Sequence, residues 1–240
     1  MGVSFLSAGD RALVIEFGER VDRALSDSVL RLNALIRSDG LDGVVETVPT
    51  FRSLMIHYDP LVTTRAKLER ALKGMLNRER ASRITATLWR VPACYEAEFA
   101  PDLAEVARLT GLSPGEVVAI HSGRPYHVYM LGFLPGFAYM GDLPQALILP
   151  RRADPRVRVP AGSISIATSL TAIYPYDSPG GWHLIGATPI RLFDAEHPRP
   201  ALFVPGDAVL FNPIDRADFE TIRRAVEKRN YEVENEPVAA

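Results

Sequence analysis

From Tyr126 to Pro213 the chain is cut into short β-rich runs by glycines and prolines at close intervals. The runs read "YHVYML", "RVRVPAGSISIAT", "TAIYPY", "WHLIGATPIRLFD", "ALFV" and "AVLF". Turn formers recurring this often leave no room for crossover helices between strands, so the pattern predicts an all-β barrel or sandwich.

The residues before this region have another texture. "SFLSAGDRALVIEFG" reads as strand, turn and strand, with Leu13, Ile15 and Phe17 alternating against Val14 and Glu16. "VDRALSDSVLRLNALIRSDG" is an amphipathic helix with Leu25, Val29, Leu32 and Ile36 on one face and Gly40 as terminator. "VVETVPT" and "SLMIHYD" are strands, and a second helix starts at Thr64 with Leu68, Leu72, Met75 and Leu76 inward. "ITATLWRVPA" is again a strand. The order β-α-β-β-α-β is that of a ferredoxin-like split βαβ unit. The fold class is therefore α+β, with a ferredoxin-like domain over residues 1–83 and a β-barrel domain over 84–240. The charged stretch Asn77–Arg83 reads as helix end or linker.

Two short helices open the second domain. "APDLAEVARLTG" places Pro101 at a first helical position and ends at Gly111. "LSPGEVVAIHSG" carries a capping box of Ser113 and Glu116, with His121 in the last turn, where a positive charge would suit the helix dipole. A last helix is expected over about Ala217 to Arg229, and "NEPVAA" should fray.

Composition narrows function mainly by exclusion. A net charge of −2 gives no electrostatic footprint for nucleic acid or anionic lipid. Cys94 is the single cysteine, which rules out an internal disulfide and favours a buried inert thiol. No secretory signal or membrane-length apolar run is present, so a soluble, cytoplasmic protein is expected. There is no Walker A loop, no Gly-x-Gly-x-x-Gly after a strand, no Gly-x-Ser-x-Gly elbow and no His-Glu-x-x-His. The five histidines never stand at i, i+4 spacing, so no metal site is expected.

Four features could carry chemistry. In "MLGFLPGFAYMGDLP", Gly132, Pro135 and Gly136 build a tight turn from which Phe133, Phe137 and Tyr139 project. Composition alone favours a packed barrel corner over a ligand wall here. In "PRRADPRVRVPAGSISIA", Arg151, Arg152, Arg156 and Arg158 crowd one segment, either as forks for a carboxylate or phosphate or as a charged strand edge. Gly162 and Ser163 follow, offering a backbone N–H and a hydroxyl at close approach. In "AIYPYDSPGGWHLIG", Pro179 and Gly180 fit a type II turn that aims Trp182 and His183 out of the turn. The fourth is His121, for which a plain helix end is the better reading.

Taken together and in order, "CYEAEFAPDLAEVA", "IHSGRPYHVYMLGFLPGFAYMGDLP", "PRRADPRVRVPAGS" and "IYPYDSPGGWHLIGATP" resemble the KipI/PxpB family. That family is also described as a 5-oxoprolinase component, as allophanate hydrolase subunit 1, or as the carboxyltransferase domain, subdomains C and D. The resemblance covers essentially the whole chain. It implies a cyclophilin-like barrel for the second domain. It further implies a subunit of an ATP-dependent 5-oxoprolinase, which opens 5-oxo-L-proline to L-glutamate, or of a related amide or urea-type hydrolase. Partners would be PxpC-type (allophanate hydrolase subunit 2) and PxpA-type subunits, with homo-oligomerisation also open, and ATP would be used by the assembled complex.

The implied pocket gathers His121, Arg151, Arg152 and Ser163 as catalytic groups, with Phe133, Phe137, Gly162, Tyr174, Gly180, Gly181 and Trp182 on substrate. Arg151 or Arg152 would hold a carboxylate or acyl phosphate, backbone near Gly162 and Gly180 would polarise a carbonyl, and His121 would relay a proton. The family also includes KipI itself, which inhibits a histidine kinase, so a regulatory binding module is the alternative. Related domains help form the carboxyltransferase site of urea carboxylase, which leaves a biotin-linked carboxyltransferase fragment as a third reading. Two segments depart from the family pattern: "CYEAEFAPD" has Glu96 and Ala97 where Tyr-Gly-Gly is common and Ala100 for a glycine, and the second is more extensive. "SIATSLTA" has Ser165, Ala167, Thr168 and Ala172 at positions where glycines are usual, and Leu170 in place of a glutamine.

Overall fold

The computed structural model describes residues 2–76 and 85–239. The chain divides into two compact units, Met1–Thr85 and Ala86–Val238. The expected helix end or linker at Asn77–Arg83 lies outside the described residues.

The first unit runs β1 (Ser4–Ser7), β2 (Ala12–Glu16), α1 (Arg23–Asp39), β3 (Val44–Pro49), β4 (Ser53–Tyr58) and α2 (Arg65–Leu76). Asp22 caps α1 by accepting from the N–H groups of Ala24 and Leu25, and Gly40 ends it in the left-handed region at φ 64°. The inward stripes of both helices meet the sheet: Val29, Leu32, Ile36, Leu68, Leu72 and Met75 pack on Leu13, Ile15, Leu54 and Ile56. Each such fully buried side chain contributes roughly 1.5–3 kcal/mol over its exposed state.

The sheet is antiparallel with order β1-β2-β4-β3. This corrects the ferredoxin-like expectation. In that fold the closing strand lies beside the first strand of the βαβ unit, here β2. Both edges of β2 are already taken, by its hairpin partner β1 and by β4. The strand meant to close the unit, β5 (Thr85–Cys94), pairs in another sheet.

The second unit continues with α3 (Leu103–Thr110), α4 (Pro114–Ser122), β6 (Tyr126–Leu131), β7 (Ala138–Gly141), β8 (Arg156–Val159), β9 (Ser163–Ala167) and β10 (Leu170–Ile173). It ends with β11 (Ser178–Gly180), β12 (His183–Ala187), β13 (Ala208–Ile214), α5 (Arg216–Glu227) and β14 (Asn235–Ala239). Seven strands close a barrel in the order β12-β9-β10-β7-β6-β13-β5, the seam being Ala187 against Cys94. β5 and β13 run parallel over seven register pairs, from Leu88–Ala208 to Cys94–Ile214. β8 and β11 form a separate two-stranded ribbon.

Alternate residues of the barrel strands, among them Val91, Val128, Met140, Ile164, Ile166, Ile173, Ile185 and Phe211, build one core with Val106 of α3 and Val117 of α4. The predicted capping box of Ser113 and Glu116 starts α4, and Gly111 ends α3 at φ 72°. Two local expectations fail. Asn235–Ala239 of "NEPVAA" forms a strand rather than fraying: β12 meets β5 only at Cys94, so the rest of that β5 edge is open and β14 occupies it. Ser178–Gly180 is strand β11 rather than an isolated type II turn, because β8 offers it a pairing edge. No helix among the described residues is long and apolar enough to cross a membrane.

Candidate functional site

The turn between β6 and β7 is fixed by its own backbone. Gly132 N–H donates to Phe137 O at 3.1 Å, and Phe137 N–H donates to Leu134 O at 3.0 Å. Gly136 sits at φ 79°, where a Cβ would lie 2.8 Å from the Phe193 Cβ, so only glycine fits. Phe133 also has positive φ, 69°, and the residue is 61% exposed. A bulky residue held in that region, with its side chain in solvent, marks a constrained turn.

Beneath Phe133 lies a second apolar cluster, separate from the barrel core. Phe137, Val159, Ala167, Ala172, Tyr174, Trp182 and Leu184 are buried in it, and Leu134, Tyr139 and Leu170 are half-buried against it. Phe137 is its centre, meeting Phe133 at 5.3 Å, Tyr139 at 4.9 Å, Tyr174 at 5.3 Å and Trp182 at 6.1 Å, all edge-on. The Arg151 guanidinium stands over the Trp182 ring, 5.9 Å from its centroid. Burial pushes the Tyr139 and Tyr174 phenols up, and Arg151 pulls both the other way. Gly180 lets Tyr174 in, since a Cβ there would run into the Tyr174 hydroxyl. The motif Met130–Pro144 is thus both things its composition allowed: Phe137 packs, and Phe133 faces solvent.

Arg151 and Arg152, adjacent in sequence, go to different places. Arg151 is exposed at the aromatic cluster. Arg152 turns away onto Asp102, with Nη1 donating to Oδ1 at 3.0 Å and to Glu105 at 3.2 Å. Arg156 reaches the same Asp102 oxygen at 2.6 Å, while Leu184 N–H donates to Asp102 Oδ2 at 2.7 Å. Asp102 is only 3% exposed. Sequence reasoning missed it, reading its segment only as a helix start; an acid at that position would usually cap, but this one makes no side-chain cap bond. Arg158 is an exposed partner of Asp177, at 2.6 Å.

Several expected site residues lie elsewhere. His121 is fully buried in the barrel core, stacked on Phe211 at 4.6 Å. Its Nδ1 meets the Tyr95 hydroxyl at 2.8 Å and its Nε2 the Thr171 hydroxyl at 3.0 Å. Burial lowers its pKa to about 3, so it carries no charge for the helix dipole near neutrality. Thr171 faces the core and its neighbours Leu170 and Ala172 face the aromatic cluster, so His121 stands behind the wall of that cluster. It is not placed to relay a proton there.

The Gly162 N–H is bonded to Tyr174 O at 2.7 Å and the Ser163 hydroxyl donates to Pro160 O at 2.7 Å, so neither is free to polarise a carbonyl. Both line a different groove of about 460 Å³, walled by Phe99, Pro101 and residues of α5. Gly181 uses its carbonyl to accept from Arg152 N–H at 2.8 Å. Trp182 and His183 are buried, at 5% and 4% exposed, and His183 Nε2 donates to Pro150 O at 3.0 Å. Cys94 is buried, which pushes its thiol up, as an inert cysteine requires. Of the residues expected together, the structure assembles Phe133, Phe137, Tyr174, Gly180, Trp182 and Arg151.

Comparison with known proteins gives the same order of motifs a family. A model of the carboxyltransferase domain, subdomain C and D, matches residues 3–203. A 5-oxoprolinase subunit of Bacillus subtilis is 36% identical over 229 residues, 90% of this chain and 94% of that protein. The crystal structure of TTHA0988 superposes with a TM-score of 0.77 at 38% identity, over 85% of this chain and 40% of that one. This chain therefore spans about two fifths of that solved chain. The urea carboxylase of Kluyveromyces lactis has the same fold, with a TM-score of 0.79 at 21% identity over 98% of this chain and 24% of that one. The chain belongs to the carboxyltransferase domain, subdomain C and D, family.

Proposed function

We propose that this chain is one subunit of an ATP-dependent amidohydrolase complex, and that its substrate is 5-oxo-L-proline, opened to L-glutamate. The observation that carries the reading is Arg151 over Trp182 beside the exposed Phe133. A small cyclic amide bearing a carboxylate matches those groups: its ring would lie on the exposed Phe133 and its carboxylate would meet the Arg151 guanidinium. The 5-oxoprolinase name of the Bacillus subtilis relative supports the same assignment.

With no nucleotide motif in this sequence, ATP would be bound by PxpC-type and PxpA-type partner subunits in the cytoplasm, and this chain would hold and orient the amide. The barrel is assigned to the cyclophilin-like class on the same family ground. Leu170, half-buried against the cluster, and the exposed Phe133 would shield the bound ring from water.

The test is to mix this chain with candidate PxpC-type and PxpA-type subunits, ATP and 5-oxo-L-proline, and to assay glutamate. Arg151→Ala should raise KM at least about tenfold, the loss of one charged contact. Turnover with an unchanged KM would sink the assignment of Arg151, and absence of glutamate with all partners present would sink the substrate.

A further inference from the structure

Arg151 reaches Trp182 from a stretch with little backbone support. Leu149 is bridged to Thr168, and regular pairing resumes only with Arg156 on β8. Between them Pro150 and Pro155 have no N–H to donate. Two bonds touch this backbone: Arg152 N–H to Gly181 O at 2.8 Å, and His183 Nε2 to Pro150 O at 3.0 Å.

The remaining restraint comes from side chains, and Asp102 receives it. Its Oδ1 accepts from Arg152, inside the stretch, and from Arg156, at its end, at 3.0 and 2.6 Å. Its Oδ2 accepts from Leu184 N–H at 2.7 Å, and its own N–H donates to Leu184 O at 2.9 Å. Leu184 lies on β12, into which Trp182 leads. One buried carboxylate therefore joins the segment that carries Arg151 to the strand that directly follows Trp182.

The geometry is not that of two independent ion pairs. Both guanidiniums crowd one oxygen, and neither forms a two-pronged fork. Arg152 Nε and Arg156 Nη1 stay buried without a partner in the protein. Such incomplete satisfaction is costly, and a site chosen for stability alone would avoid it.

We propose that Asp102, acting through Arg152, is the positioning residue that holds Arg151 over Trp182 and so sets how strongly the site takes a carboxylate. The carboxylate half of this statement rests on the function proposed above; the positioning half does not.

The chain has two tryptophans, so its two indole N–H signals in a nitrogen-15 spectrum can be assigned with Trp89→Phe. Arg151→Ala should move the Trp182 signal. Asp102→Asn should move it the same way, and should add nothing in the Arg151→Ala background. Titrated with 5-oxo-L-proline, Asp102→Asn should weaken binding about tenfold in the otherwise native chain and less than about twofold beside Arg151→Ala. Arg152→Gln cuts the same tether while leaving Asp102 paired with Arg156, and should repeat both patterns. It is the deciding variant if Asp102→Asn does not fold. A Trp182 signal unmoved by the folded variants, or a shift that adds in full to that of Arg151→Ala, overturns the proposal. A native chain that ignores 5-oxo-L-proline but keeps the signal pattern supports the positioning role and overturns the substrate.

Discussion

His121 should make the barrel sensitive to acid, by an amount that follows from its surroundings. It is fully buried between Phe211 and Tyr126, and burial holds its pKa near 3, against about 6.5 in an unfolded chain. The folded state therefore resists the proton that the unfolded state accepts. Above pH 6.5 both states carry a neutral imidazole and the residue adds no pH dependence. Below it, stability falls by roughly 1.4 kcal/mol per pH unit, reaching on the order of 5 kcal/mol by pH 3.

The perturbation is His121→Gln, which is neutral throughout and can still bond to one of the two hydroxyls. The variant should be less stable at pH 7, having lost the stacking on Phe211. Between pH 7 and 4.5, however, it should lose about 3 kcal/mol less than the native chain. Urea unfolding followed by tryptophan fluorescence measures this directly, because Trp89 and Trp182 both lie in the second unit. Every other titrating group contributes to both proteins and cancels. Equal pH slopes in the two would refute the argument, and with it the neutral buried state of His121.

Gly180→Ala should push the Tyr174 hydroxyl out of its place, cost about 1–3 kcal/mol in urea unfolding and shift Trp182 emission. Asp207→Ala should cost at least about 2 kcal/mol and move Trp89 emission, since it strands the N–H groups of Thr87, Val204 and the Trp89 indole together. Thr168→Gly should raise the thermal midpoint, because Thr168 is a β-branched residue held at φ 54°; the expected gain is about 0.5–1 kcal/mol.

What could be read from the sequence was what is decided locally. Leu13 and Ile15, one strand face, are both fully buried, and the box of Ser113 and Glu116 forms because they stand three positions apart. Gly40 and Gly111 end helices in the conformation that glycine tolerates. The failures are non-local. The allegiance of β5 depends on edges vacated or filled by β1, β12 and β13, which no window of sequence contains. His121 finds Tyr95 and Thr171 from distant segments, and Asp102 finds Arg152, Arg156 and Leu184 likewise. The pocket residues were named as one group only because the family resemblance implies it. Alternation on β10 then sends Thr171 and Leu170 to opposite faces, and the group divides.

The parallel pairing of β5 with β13 also sets a timetable. On a ribosome the first unit has all its strands once residue 58 has emerged, and its second helix soon after. β5 follows at once, yet its partners β12, β13 and β14 are among the last segments to be made. Until Ala208–Ile214 leaves the exit tunnel, β5 waits as an unpaired strand bearing Val91, Ala93 and Trp89, the kind of edge that recruits other chains. Truncations that stop short of residue 208 should therefore yield a soluble first unit attached to an aggregating remainder, and slowed synthesis across the barrel should lower the yield of folded protein.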